Sequence, residues 1–285
     1  MKILNHILMM LIITFILFGC KNSIEEHKER YVVLSPEIAE ILASLGVSDR
    51  IVGRTFECDY PLELQDIPSV GNFGQFSLER IMSLNPSIVF TSALEQNEIT
   101  EQLKRLNIQT LQFYPRNTLD LLVMIDSLGV ITGTQVTADS LSQFIQSSFE
   151  NFRNSHRIRR GYSSEKPKIY TEIYGNPIMS ADNSSYLGQL LEYTGAENIF
   201  PQLIRDYARV NAEEVVLLNP DVIILTYPGI SAEDIKQRKG WGTINATLND
   251  RIYTIDDINP DLILRAGPRN IRGIERLIEV IYNGD

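Results

Sequence analysis

Ser77-Leu78-Glu79-Arg80-Ile81-Met82-Ser83-Leu84-Asn85-Pro86-Ser87-Ile88-Val89 in the first half of the chain returns in the second half as Asn211-Ala212-Glu213-Glu214-Val215-Val216-Leu217-Leu218-Asn219-Pro220-Asp221-Val222-Ile223. Each copy reads as a polar cap, a short amphipathic helix with Glu in its first turn, a Pro that ends the helix, and a β-branched strand. A unit that occurs twice, so far apart, is not a solenoid array. It indicates two similar α/β lobes with mainly parallel sheets, each showing one acidic helix start, with something held between them.

Working outward, Tyr31-Val32-Val33-Leu34 reads as a strand, and Ser35-Pro36-Glu37 opens a helix as N-cap, first-position Pro and first-turn acid. Ile38, Ile41, Leu42 and Leu45 give that helix an apolar stripe, closed by Gly46. A strand near Arg50 to Gly53, the repeated unit, a strand Ile88 to Thr91, a helix Glu98 to Leu106 and a strand Gln109 to Phe113 continue the alternation. Such alternation favours a mainly parallel sheet covered by helices.

A helical tract follows from about Asn117 to Arg160, interrupted near Gly129 to Gly133. Its second part has Ala138, Leu141, Ile145, Phe149 and Phe152 on one face and no internal Gly or Pro, so it predicts a stiff spine helix of roughly 39 Å. The second lobe repeats the plan: strand Lys168 to Ile173, a helix capped at Asn183-Ser184-Ser185 and closed by Gly195, the second acidic unit, strands Val222 to Thr226 and Arg251 to Ile255, and a helix from Arg269 to Tyr282. The resulting division is 31–133 for the first lobe, 134–160 for the spine and 161–285 for the second lobe.

Residues 1–19 read as a secretory signal, with Lys2 at the charged start and an apolar run from Ile7 to Phe18 that falls short of the roughly 20 residues a membrane span needs. Residues 20–30 read as Cys20 plus a charged tether, KNSIEEHKER. With Cys20 set aside, only Cys58 remains and no internal disulfide can form. A formal net charge of −10 argues against a nucleic-acid partner. Of the three His, His6 leaves with the signal, His27 lies in the tether and His156 on the spine, so free-metal capture has no imidazole cluster to use. There is no G-x-S-x-G elbow, P-loop or dinucleotide fingerprint, and Gly71-Asn72-Phe73-Gly74 is too short to be one; the chain does not read as an enzyme, and a lipoprotein hydrolase is the lesser alternative.

Leu17-Phe18-Gly19-Cys20 resembles the lipobox of bacterial lipoproteins, which implies lipidation of Cys20 and attachment to the cell envelope. From Tyr31 onward the chain resembles the helical-backbone (class III) substrate-binding proteins of ABC importers for cobalamin, ferric siderophores and haem. The resemblance is carried in order by SPEIAEILASLGV, CDYPLE, SLERIMSLNPSIVF, TGAENIF, EEVVLLNPDVIILT and RAGPR. Asp59-Tyr60-Pro61 and the segment Asp261 to Arg269 look most like the vitamin B12-binding branch. It implies a cobalamin ligand rather than a resident cofactor, a monomer, and as partners a permease dimer with its ATPase subunits and the membrane.

By that resemblance Glu79 and Glu213 would dock into arginine pockets of the permease, which suits carboxylates shown at exposed helix starts; a capping box or the helix dipole would also account for them. Phe73, Tyr207, Asp261 and Arg265 fall where the vitamin B12-binding branch meets its ligand. Phe56, Tyr60, Tyr174, Met179 and Tyr227, all near predicted strand ends, add apolar walls for a broad corrin disc, though each equally suits ordinary packing. Asp261 and Arg265, four apart, would accept from and donate to ligand amides, or pair with each other on a helical turn. Glu57, Ser92 and Ile173 stand where the branch would offer rings. Ferric siderophore and haem are the rival ligands. The former calls for several basic residues where this chain offers Arg265, Arg54 and little more, and the latter for an axial ligand among Tyr60, Tyr174, Tyr207 or a Met. Trp241, the sole Trp, is expected at the surface of the second lobe.

Overall fold

The computed structural model describes residues 29–72, 74–92, 97–160 and 165–282. Two six-stranded sheets organise it. The first contains β1 (Tyr31–Val33), β2 (Ile51–Thr55), β3 (Ser69–Asn72), β4 (Gln75–Phe76), β5 (Ile88–Thr91) and β6 (Thr110–Gln112), in the order β4-β3-β2-β1-β5-β6. All its pairings are parallel except β3 with β4. The second contains β7 (Lys168–Gly175), β8 (Ile178–Ala181), β9 (Glu197–Asn198), β10 (Tyr207–Arg209), β11 (Val222–Leu225) and β12 (Ile252–Tyr253). Its order is β10-β8-β7-β11-β12, with β9 also on β7, and β8 is antiparallel to both its neighbours. The expected mainly parallel sheets are present, with an antiparallel edge on each.

The first helix, α1 (Pro36–Ser44), starts as its sequence predicts: Ser35 Oγ accepts from the Ile38 amide and Pro36 occupies the first turn. The repeated unit forms α2 (Leu78–Ser83) before β5, and, after α3 (Asn97–Arg105), α4 (Thr118–Thr132), α5 (Gln135–Arg160) and α6 (Tyr186–Thr194), it forms α7 (Ala212–Leu218) before β11. In each copy the following strand pairs with the first strand of its sheet, β5 with β1 and β11 with β7, so the two helices are topologically equivalent. Pro is not what turns the chain out of them. Asn85 and Asn219 adopt left-handed conformations with φ of 44° and 49°, and the Pro that follows only prevents the helix from resuming.

The tract expected to break over Gly129 to Gly133 breaks only at Gly133, a left-handed C-cap with φ 71°. Gly129 lies inside α4, where a Cβ would come within 2.4 Å of Ala138 Cβ on α5; a glycine is needed because the two helices touch there. The spine helix α5 is 26 residues long and does not bridge alone. One continuous core joins Val33 and Phe90 of the first sheet to Ile169 and Ile224 of the second through α1, α4, α5, α6 and the last helix, α11 (Asn270–Tyr282). Strand alternation supplies the opposite faces: Val32, Leu34 and Val89 pack with Ile81 behind the first sheet, and Tyr170, Ile223 and Leu225 pack with Trp241 behind the second. Trp241 is fully buried, contrary to the surface position expected for it. Burial of large apolar side chains at about 25 cal/mol per Å² makes the shared layer the main reason the halves hold together.

The signal segment, Cys20 and nearly all of the tether lie outside the described residues. Among those described, no helix is long and apolar enough to cross a membrane.

Candidate functional site

Open α/β sheets present their ligand-binding loops at the carboxyl ends of parallel strands. Beyond β2 the chain enters a tight loop, Phe56 to Tyr60, that is held from beneath. Arg54 is buried, and its guanidinium donates to the carbonyls of Thr55 (3.0 Å), Phe56 (3.1 Å) and Gln65 (2.9 Å). Arg54 therefore shapes the loop and offers no charge to a ligand, unlike the cleft cation the sequence reading allowed. Cys58 lies buried under the same loop, 3.3 Å from Thr55 Oγ1, and burial pushes its thiol up to about 12. The support leaves Phe56 69% exposed. Phe73 lies outside the described residues.

Tyr60 carries the Arg269 guanidinium over its ring at 3.9 Å, the first sign of a charge cluster spanning the halves. Asp261 opens α10 (Asp261–Leu264), following the small helices α8 (Ala232–Lys236) and α9 (Asn245–Leu248). Arg265 follows α10 directly and meets Asp261 at 3.0 Å, Asp59 at 3.0 Å and Glu40 at 3.4 Å. Arg269 donates from Nε to Glu40 Oε2 at 2.8 Å and from its terminal nitrogen to Glu40 Oε1. Burial raises the Glu40 carboxyl, and Arg269 and Arg265 only partly offset it. Burial likewise raises Asp261, with Arg265 pulling down and Asp59 pushing up. For Arg265 burial works against the charge, and Asp261, Asp59 and Glu40 outweigh it, holding the guanidinium above its ordinary value. The i,i+4 pairing expected of Asp261 and Arg265 is present, inside a larger network that sequence spacing did not reveal.

The second half builds its own wall. Tyr174, at the end of β7, is 52% exposed; Met179 on β8 is its cross-strand partner, and the Tyr227 ring lies 6.1 Å away at 54°. Tyr174, Met179 and Tyr227 are thus brought together. The Tyr227 hydroxyl donates to buried Glu172, which also takes Arg238 at 2.6 and 2.8 Å and the Tyr170 hydroxyl at 2.9 Å. Burial and then Glu172 hold the Tyr227 phenol above its ordinary value. Arg238 in turn lies 4.7 Å over the Trp241 ring. Tyr207 is not part of this group. It packs against the shared core, and its hydroxyl meets Ser185 and the Leu187 amide at the start of α6; burial first of all pushes it up to about 12.

Glu79 and Glu213 are both exposed, each the second residue of its helix. A capping box needs the third residue, which is Arg80 in α2 and Glu214 in α7, so that explanation is removed. The caps are supplied by Ser77 Oγ, accepting from Arg80, and by Asn211 Oδ1, accepting from Glu213. Neither carboxylate has a hydrogen bond or ion pair with a described residue. Favourable placement in the helix field remains for both.

Glu40, Arg269, Glu172 and Arg238 were missed as site-building residues. Glu172 had a signal: on a strand it shares a face with Tyr170 and Tyr174, a carboxylate between two phenols. Glu40 had none, since helical spacing places it opposite the Ile38, Ile41, Leu42 stripe.

A sequence model for the periplasmic binding proteins matches residues 32–259. Over 265 residues the chain is 28% identical to the uncharacterised ABC transporter substrate-binding lipoprotein YvrC of Bacillus subtilis, covering 91% of this chain and 82% of that one. A vitamin B12-binding protein of Vibrio parahaemolyticus is 23% identical over 92% of each chain. In fold, the periplasmic heme-binding protein RhuT of Roseiflexus superposes with a TM-score of 0.79 at 21% identity, over 90% of this chain and 98% of that one. With two α/β sheets joined through helices and a sequence match running through nearly all of both, this chain belongs to the periplasmic binding protein family.

Proposed function

We propose that this protein captures cobalamin or a closely related corrinoid between its two α/β halves and hands it to the permease of an ABC importer. The observation that carries the ligand class is electrical. Among the described residues, four arginines beside the candidate rings are neutralised or committed: Arg54 to backbone carbonyls, Arg238 to Glu172, and Arg265 and Arg269 to Glu40, Asp59 and Asp261. Exposed aromatic surface beside internally balanced charge suits a broad apolar disc edged by amides better than an anionic ferric chelate. Of the axial candidates for haem, the Tyr207 hydroxyl is engaged within the protein whereas Tyr60 and Tyr174 are exposed, so haem is the rival that the ligand test must include. The Vibrio relative, named for vitamin B12 binding, supports the same choice.

In this reading Phe56, Phe73, Tyr60, Tyr174, Met179 and Tyr227 form the apolar walls. Tyr207 borders them, and Asp261 and Arg265 meet ligand amides with the hydrogen-bonding capacity left over from their own pairing. Glu79 and Glu213, unengaged and topologically equivalent, dock into the permease with its ATPase subunits. Residues 1–19 direct export and lipidated Cys20 anchors the chain to the envelope, as the lipoprotein name of the Bacillus relative supports. Titration with cyanocobalamin, haem and ferric chelates, followed calorimetrically, tests the assignment. Saturable one-to-one binding of cyanocobalamin well ahead of the others is expected; tight haem or chelate binding without corrinoid binding would overturn it.

A further inference from the structure

Glu172 is fully buried, yet its carboxylate does not serve the core alone. One oxygen accepts from the Tyr227 hydroxyl and from Arg238, the other from Arg238 and Tyr170, and the Glu172 carbonyl accepts from the Thr226 amide at 3.0 Å. The loop that carries Tyr227 is thus tied twice to one residue of β7. On its other side the Tyr227 phenol overlies Gly175, where an added Cβ would come within 2.3 Å of the phenolic oxygen. Carboxylate and bare glycine together leave the ring one position, tilted against the exposed Tyr174. Such dual support of a partly buried ring costs a buried charge and a strand glycine, more than packing that ring would require.

We propose that Glu172 is a positioning residue for ligand capture, fixing the Tyr227 ring with the help of Gly175 and Arg238 and thereby setting the shape of the second half's wall. The inference rests on the reading of Tyr227 as a ligand contact given above. It adds residues that need not touch the ligand themselves. Arg238 donates to both oxygens of Glu172, and its position over Trp241 ties the assembly to the core behind the sheet.

The test measures cyanocobalamin affinity and unfolding midpoint for the full chain, for Glu172→Gln, Tyr227→Phe and Gly175→Ala, and for the two double variants containing Tyr227→Phe. A hydrogen bond to a charged partner sets the scale, so Tyr227→Phe and Gly175→Ala should each weaken binding about tenfold, with a smaller drop in midpoint than Glu172→Gln. Glu172→Gln should weaken it similarly, and neither Glu172→Gln nor Gly175→Ala should add much to Tyr227→Phe, because all three act through one ring. Losses that multiply, or wild-type affinity in Gly175→Ala, would overturn the proposal. Should Glu172→Gln fail to fold, the Gly175→Ala and Tyr227→Phe pair decides by the same criterion. If the wild type takes haem and no corrinoid, the ligand assignment falls and the series is read with haem, where unchanged affinity across it would remove the positioning role as well. A wild type that binds neither would remove both.

Discussion

In the second half, Glu172 is neutralised from within: Arg238 forms a two-pronged pair with it, and both belong to the same sheet and its covering helices. In the first half, Glu40 is neutralised from outside, by Arg265 and Arg269 near the end of the chain. Both carboxylates are buried beside candidate ligand rings, Tyr227 in one case and Tyr60 in the other. The difference teaches that the second wall is preformed by its own lobe, whereas the first wall is completed only when the last segment of the chain crosses over to it.

The largest effect should come from breaking the self-contained pair. Arg238→Ala leaves Glu172 buried with no cation, which costs about 3–5 kcal/mol, measurable by urea denaturation. Arg269→Ala should cost less, about 2 kcal/mol, because Arg265 stays within reach of Glu40; an equal or larger loss would mean that the first cluster has no such reserve.

Acidity sharpens the contrast. Glu40 and Asp261 have folded values raised above those of the unfolded chain, so between the two values the folded state binds more protons. Their contribution is therefore present at and below the ordinary carboxylate range and is lost as pH rises through the folded values. Asp261→Asn should lose part of that dependence, seen as a flatter difference in unfolding midpoint across mildly acidic pH; an identical profile would show that Asp261 does not take part.

A subtler comparison uses one natural reporter in each half. Cys58 is buried with its thiol pushed up to about 12, and Trp241 is buried behind the second sheet. Since one core joins the sheets, thiol labelling and Trp emission should report the same urea midpoint; separated midpoints would show that the halves unfold independently. The smallest effect on stability belongs to the exposed acids. Glu79→Lys with Glu213→Lys should cost less than about 1 kcal/mol per site and leave ligand affinity intact while abolishing uptake in cells, and undiminished uptake would remove the docking role.

The order of helices and strands was written locally. Ser35-Pro36, the β-branched runs at Ile88 and Val222, and the doubled acidic unit are signals that act within a few residues, through capping, propensity and period. The two acidic helix starts and even the Asp261–Arg265 pair could be found the same way, because each depends on spacing along one element. What only the tertiary structure decided is which charges lie inside. Glu40 sits on the polar side of its helix by spacing and becomes buried because a segment more than two hundred residues away covers it; Arg54 turns inward to hold its loop, and Trp241 is enclosed rather than exposed. Burial of a charge is set by who arrives on the far side of an element, and periodicity along that element carries no record of it.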